Sequence, residues 1–64
     1  SIAEVERDGA NALAAVGMRP EYFSVRRQLE LVPATDEDRE IIILVAAWLG
    51  PARLIDNLEV QLSA

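Results

Sequence analysis

The chain has 64 residues and a net charge of −5, from eleven acidic residues and six arginines, with no lysine. This length allows one domain or part of one, and the acidic balance argues against nucleic-acid binding, which requires clustered positive charge. Because cysteine and histidine are both absent, disulfides, thiolate nucleophiles and imidazole proton shuttles or metal ligands are excluded.

The first predicted element is a helix over residues 1–16. Ser1 and Glu4 have the S-x-x-E spacing of a capping box, in which each residue satisfies a backbone donor at the start of a helix. Gly9 lowers helix stability by up to about 1 kcal/mol relative to alanine, and Gly17 stands where a left-handed C-terminal cap is expected. The apolar face of this helix is formed by residues near helical spacing: Ile2, Val5, Ala12, Leu13 and Val16.

The next predicted element is a strand over residues 22–27, in which apolar and polar side chains alternate. Phe23 and Val25 share one side of this strand, so that side is expected to pack on the core. The opposite side is expected to face water and carries Tyr22, Ser24 and Arg26.

Two connecting segments follow this strand. Residues 28–32 are predicted as a short turn of helix or an irregular connection, anchored to the core by Leu29, Leu31 and Val32. Residues 33–38 contain strong turn formers and are predicted as a polar loop.

Residues 39–49 fit two structures. A helix fits because Thr35 can cap it, acidic residues follow the cap, and apolar residues recur at positions 41, 42, 45, 48 and 49. A buried strand is favoured because three consecutive isoleucines precede Leu44 and Val45, and such runs suit a sheet. Gly50 and Pro51, followed by a second β-like run, are typical of a hairpin turn. We therefore predict strands over residues 41–49 and 53–57.

A hairpin with Gly50 and Pro51 as its two loop residues fixes which residues face each other. Trp48 lies opposite Arg53, so the arginine is expected to make a cation–π contact worth about 0.5–1 kcal/mol. By the same register Ala46 faces Ile55 and Val45 faces Asp56. Glycine at the first loop position suits a type II′ turn.

The carboxylates near the middle of the chain are the first candidate site. Because hard divalent cations prefer oxygen ligands, a weak cation site is conceivable. The favoured interpretation is a solvated acidic loop beside Arg39. The carboxylates concerned are Asp36, Glu37, Asp38 and Glu40.

The remaining candidates also have structural alternatives. Arg26 and Arg27 form a basic pair that suits an anionic ligand from a neighbouring domain or, more simply, balances surface charge. Trp48 is interpreted as core or cross-strand packing rather than as a ligand platform. The predicted return strand carries three polar residues, Arg53, Asp56 and Asn57. Their side chains are expected to bond to the backbone of the turn or, alternatively, to contact a partner domain.

Two stretches of the chain resemble pantothenate synthetase (pantoate–β-alanine ligase), and specifically its small C-terminal domain. GMRPEYFSVRR resembles the strand that precedes the C-terminal hairpin of that family, and LVAAWLG followed by ARLIDN resembles the hairpin itself. The resemblance covers about residues 2–62. It is carried by Gly17, Arg19, Tyr22, Val25, Arg26, Leu44, Ala46, Ala47, Gly50, Arg53, Leu54, Ile55, Asp56 and Asn57.

The resemblance implies a lid that closes over the nucleotide site of a larger enzyme. Such enzymes condense pantoate and β-alanine with ATP and Mg²⁺ through a pantoyl-adenylate, and a lid excludes water from that intermediate. The family's catalytic motifs belong to a Rossmann-like N-terminal domain, which is the implied partner within a homodimeric parent. No catalytic, cofactor-binding or metal-binding residue is therefore assigned to this chain.

The prediction is an α+β fold, with the N-terminal helix packed on a small three-stranded antiparallel sheet, over one domain of residues 1–64. Its predicted function is that of a pantothenate synthetase lid domain; the alternative is a freestanding protein-interaction module without catalytic activity. The longest apolar run, residues 41–49, is well short of the roughly twenty residues of a membrane span. No leader is recognised, so a soluble, cytoplasmic chain without membrane or nucleic-acid partners is expected.

Overall fold

The computed structural model describes residues 1–62 and contains one helix followed by three strands. The strands form a single antiparallel sheet in the order β1-β2-β3. The predicted α+β fold is therefore confirmed, and the contested middle segment is a strand. The elements are α1 (Ile2–Ala15), β1 (Arg19–Arg27), β2 (Glu40–Leu49) and β3 (Ala52–Gln61).

Both ends of α1 are closed by local hydrogen bonds. The capping box is present: the Ser1 hydroxyl accepts from the backbone N–H of Glu4, and the Glu4 side chain accepts from the Ser1 amino group. At the other end Gly17 has φ +87, and the Met18 N–H donates to the carbonyl of Leu13 at 3.0 Å. This Schellman geometry satisfies carbonyls at the end of the helix and turns the chain directly into β1.

The helix packs on β1 through a close approach at Gly9. A Cβ added there would lie within 2.6 Å of the Phe23 ring, so the absence of a side chain makes room for the aromatic ring. Val25 is 1% exposed, which confirms that Phe23 and Val25 share the packed side of β1. The fully buried core is small and consists of Val25, Ile41, Ala46 and Ala47.

The β2–β3 hairpin has the predicted register. Trp48 faces Arg53, Ala46 faces Ile55 and Val45 faces Asp56. Gly50 has φ +59, which fits glycine at the first position of a type II′ turn. The return strand is longer than predicted, because β2 continues to Glu40 and offers pairing partners for β3 as far as Gln61.

Strand β1 also begins earlier than predicted, at Arg19. A bulge between Pro20 and Tyr22 places an extra residue, Glu21, in this strand, and Arg19 still pairs with Trp48. Proline is tolerated here because β1 is an edge strand and its missing N–H costs no ladder bond.

The prediction that Leu29, Leu31 and Val32 anchor residues 28–32 to the core is wrong. Their exposed fractions are 90%, 48% and 41%. The Arg27 backbone bonds to both Leu31 and Val32, which closes a tight turn and directs these side chains outward. Leu31 has φ +57 in this turn. Within residues 1–62, no helix has the length and apolarity to cross a membrane.

Candidate functional site

The side of the sheet opposite α1, here called the open face, has no helix over it within the described residues. Strand alternation places fourteen side chains on it, and α1 lies on the other side, against Phe23. Ile55 is 63% exposed and Tyr22 is 38% exposed, whereas the small Ala46 is fully buried between larger neighbours. The open face consists of Arg19, Tyr22, Ser24, Arg26, Glu40, Ile42, Leu44, Ala46, Trp48, Arg53, Ile55, Asn57, Glu59 and Gln61.

A shallow groove lies on the open face above β1. Tyr22, Ser24 and Arg26 line it together with Leu31 and Leu44. Arg26 Nη1 donates to the carbonyl of Leu31 at 2.8 Å, which holds the guanidinium beside the two hydroxyl-bearing residues. Two hydroxyls and a guanidinium are hydrogen-bond donors, so this row can bind a carbonyl or anionic group, and the leucines can contact an apolar one.

Trp48 lies in a row across all three strands, with Arg19 opposite it on β1 and Arg53 on β3. The Arg19 guanidinium carbon is 5.7 Å from the centroid of the Trp48 ring. Arg53 Nε instead donates to Glu21 Oε2 at 2.7 Å. The predicted cation–π contact from Arg53 is therefore wrong, because the bulge presents a carboxylate that forms a charge-assisted bond with this arginine.

Asp56 and Asn57 form a local bond within β3. The backbone N–H of Asn57 donates to Asp56 Oδ1 at 2.8 Å. The interpretation of Arg53 and Asp56 as binders of turn backbone is therefore wrong, since Arg53 bonds to Glu21 and Asp56 to the strand backbone.

The carboxylates of the acidic loop stabilise the loop itself. The Asp38 carboxylate accepts from the Thr35 N–H at 2.7 Å and from Arg27 Nε at 3.1 Å. These donors, the Thr35 amide above all, hold the pKa of Asp38 below its ordinary value, and the same ion pair raises the pKa of Arg27. Asp36 Oδ1 accepts from the Ile2 N–H at 2.8 Å and so ties the loop to the start of α1.

These contacts separate the candidates that adjoin each other in sequence. Arg27 bonds to Asp38, whereas Arg26 lies on the open face, so the basic pair does not act as one unit. Across residues 1–62, histidine, cysteine and acidic side chains form no group of three that could hold a metal ion.

Sequence reasoning did not identify two contacts that position these surfaces. The Glu6 carboxylate accepts from the N–H of Val25 at 2.9 Å, and Arg19 lies over Trp48. The first contact could have been inferred from the position of Glu6, whose carboxylate lies on the side of α1 that faces the sheet. The second depends on a bulge that the sequence does not specify.

The fold and surfaces define a small α+β domain, whose helix packs against β1 on one side of an antiparallel sheet and whose open face presents apolar and polar side chains together. The family model described as pantoate-beta-alanine ligase matches residues 1–59. The chain therefore belongs to the pantoate–β-alanine ligase family.

Named relatives agree with this assignment. A pantothenate synthetase of Pseudomonas putida (strain W619) is 58% identical over 55 residues, which cover 86% of this chain and 19% of that protein. One from Thioalkalivibrio sulfidiphilus is 52% identical over 58 residues, covering 91% of this chain and 20% of the relative. The chain thus spans about a fifth of the length of the relatives it matches.

Proposed function

We propose that this chain acts as the C-terminal lid domain of a pantothenate synthetase. The observation that carries the proposal is the match of residues 1–59 to the ligase family, at 58% identity to a relative named for that enzyme. The matched segment is about a fifth of that relative's length, which suits an accessory domain of a larger enzyme.

In this proposal the parent enzyme condenses pantoate and β-alanine, with ATP and Mg²⁺, through a pantoyl-adenylate. The reacting groups belong to a Rossmann-like N-terminal domain, and the parent is a cytoplasmic homodimer. The chain itself contributes no catalytic or metal-binding residue. Its role is to close over the acyl-adenylate, because an acyl-adenylate exposed to water is lost by hydrolysis.

The open face is the surface proposed to meet the N-terminal domain. It carries half-exposed apolar side chains, which become buried on closure. Most of the chain's acidic excess lies elsewhere, on α1 and in residues 28–39. The open face is therefore the side on which an anionic nucleotide meets little repulsion. The acidic residues on α1 and in that segment are Glu4, Glu6, Asp8, Glu30, Asp36, Glu37 and Asp38.

The proposal can be tested in the pantothenate synthetase of Pseudomonas putida (strain W619), with its matched segment either deleted or replaced by residues 1–62 of this chain. The measurement is the ratio of pantothenate formed to pyrophosphate released. A lid keeps this ratio near unity, because each adenylate reaches β-alanine before water. We expect the deletion to lower the ratio and the replacement to restore it.

A matched pair of variants of the replacement enzyme locates the working surface. Arg26→Ala alters the open-face groove, and Arg7→Ala removes the same charge from the exposed side of α1, where Arg7 bonds to Asp8. Arg26→Ala should raise the KM for ATP or lower the product ratio, whereas Arg7→Ala should leave both unchanged. A deletion that still yields a ratio near unity would contradict the lid role.

A freestanding interaction module remains the second candidate, and one observation favours it. Leu54, Ile55 and Leu58 are 48%, 63% and 60% exposed, which gives β3 an apolar surface on both sides of the sheet. A replacement enzyme that folds but fails to restore the product ratio, while the relative's own segment succeeds, would support this function instead.

A further inference from the structure

The outer edge of β3 differs from the outer edge of β1. In the β2–β3 ladder, the N–H of Leu62 bonds to the carbonyl of Arg39, so even-numbered residues of β3 direct their backbone groups toward β2. Odd-numbered residues therefore direct theirs outward. The outward N–H groups belong to Arg53, Ile55, Asn57, Glu59 and Gln61.

The corresponding edge of β1 is covered by the chain itself over residues 25–27. Val25 donates its N–H to the Glu6 carboxylate and accepts from the N–H of Ala34. Arg27 bonds in the same way to Leu31 and Val32. Since an uncovered edge is a template for a further strand, β3 is the edge at which this sheet can grow.

The longest antiparallel pairing of β3 with a second β3 is centred on Asn57. In that register Asn57 faces its own copy, Ile55 faces Glu59, and Arg53 faces Gln61, so no like charges oppose each other. The two Asn57 residues would exchange hydrogen bonds at the centre of the pairing. Availability of the Asn57 N–H therefore decides whether two copies can join.

That N–H is already bound, since it donates to Asp56 Oδ1 at 2.8 Å. We propose that Asp56 blocks the outer edge of β3 by binding the Asn57 N–H, and so prevents this chain from pairing with a second copy of itself through β3. The Asp56 carboxylate accepts from the central N–H of the edge, that of Asn57. The remaining outward N–H groups are thereby divided into two short sets, at residues 53–55 and 59–61. This inference concerns the isolated edge and does not depend on the lid function.

Three single variants of the 64-residue chain separate the hydrogen bond from its charge. Asp56→Ala removes the acceptor, Asp56→Asn retains a carbonyl oxygen at the same place, and Glu37→Ala makes the same charge change in an exposed turn outside β3. Sedimentation equilibrium measures self-association of each. We expect Asp56→Ala to associate about tenfold more tightly than wild type, the ratio typical of one lost charge-assisted bond. Asp56→Asn keeps a weaker acceptor and should lie between the two, and Glu37→Ala should match wild type.

Amide hydrogen exchange of the wild-type chain tests directly whether Asp56 binds the Asn57 N–H, and it does not require any variant to fold. After correction for intrinsic rates, the Asn57 amide should exchange about tenfold more slowly than the outward amide of Ile55, because only the former is bonded. Equal exchange of the two amides would overturn the proposal. The proposal would also be overturned if Asp56→Ala associated no more tightly than wild type. The same holds if Asp56→Ala associated as tightly as Asp56→Asn or Glu37→Ala.

Discussion

The Glu6 carboxylate on α1 accepts a hydrogen bond from the backbone N–H of Val25, with 2.9 Å between Oε2 and the nitrogen. Val25 is the largest fully buried side chain of the described residues, and its amide lies on the outer edge of β1. One side chain therefore joins the helix to the sheet and satisfies an edge donor that has no strand beside it.

Removal of this acceptor should destabilise the fold. Glu6→Ala leaves the Val25 N–H without its partner, so we expect the free energy of unfolding to fall by about 1.5–3 kcal/mol. Glu6→Gln keeps an acceptor oxygen and should lose less. Urea unfolding measures both, and Asp8→Ala, which removes an exposed carboxylate from the same helix, serves as the control. An Asp8→Ala loss as large as that of Glu6→Ala would contradict this role.

Gly9→Ala should destabilise the chain although alanine is the better helix former. The added methyl group meets the Phe23 ring, and such overpacking typically costs about 1–3 kcal/mol, against a gain in helix propensity of about 1 kcal/mol. Asn11→Ala, at an exposed position of α1, should stabilise the helix slightly. Thermal unfolding of both variants provides the comparison, and a higher Tm for Gly9→Ala would show that the ring moves aside freely.

Asp38 should make the free energy of unfolding depend on pH in the acidic range. Its hydrogen bonds from Thr35 and Arg27 lower its pKa in the folded chain below the ordinary 3.8. The stabilisation from Asp38 is therefore complete at a pH above the pKa that Asp38 has in the unfolded chain. It is lost as the pH falls through the lower pKa of the folded chain. We expect the stability difference between wild type and Asp38→Asn to shrink below about pH 4. Urea unfolding at several pH values measures it; a difference independent of pH would contradict the ion-pair geometry.

Arg19→Ala should change the fluorescence of Trp48, the chain's one tryptophan. The loss of a cation over the ring alters its environment and should cost about 0.5–1 kcal/mol of stability. Arg53→Ala is the matched control, because Arg53 faces Trp48 in register while its guanidinium bonds to Glu21. A larger emission change from Arg53→Ala would reverse the assignment of the cation.

The sequence predicted the elements whose signals are local. The capping box at Ser1 and Glu4 and the glycine–proline turn at residue 50 identified the helix and the hairpin register. The position of Arg19 over Trp48 was not predictable, because it depends on a bulge in β1. Leu29 was expected in the core from its hydrophobicity, but the backbone bonds of the turn direct it outward.

The candidate site was less predictable than the fold, for a related reason. Arg26 and Arg27 are adjacent in sequence, yet alternation along β1 places them on opposite sides of the sheet, and only Arg26 lines the open-face groove. The acidic residues looked like one cluster, but Asp36 and Asp38 each bond to a different part of the chain. Sequence proximity thus overstated which charges can act together.

The order α1, β1, β2, β3 along the chain is also the order of these elements in space. Every major contact therefore joins consecutive elements. The short connections at residues 16–18 and 50–51 can close early, whereas the twelve residues 28–39 must be ordered before β1 and β2 meet. The docking of β1 onto β2 is accordingly the step expected to limit the folding rate.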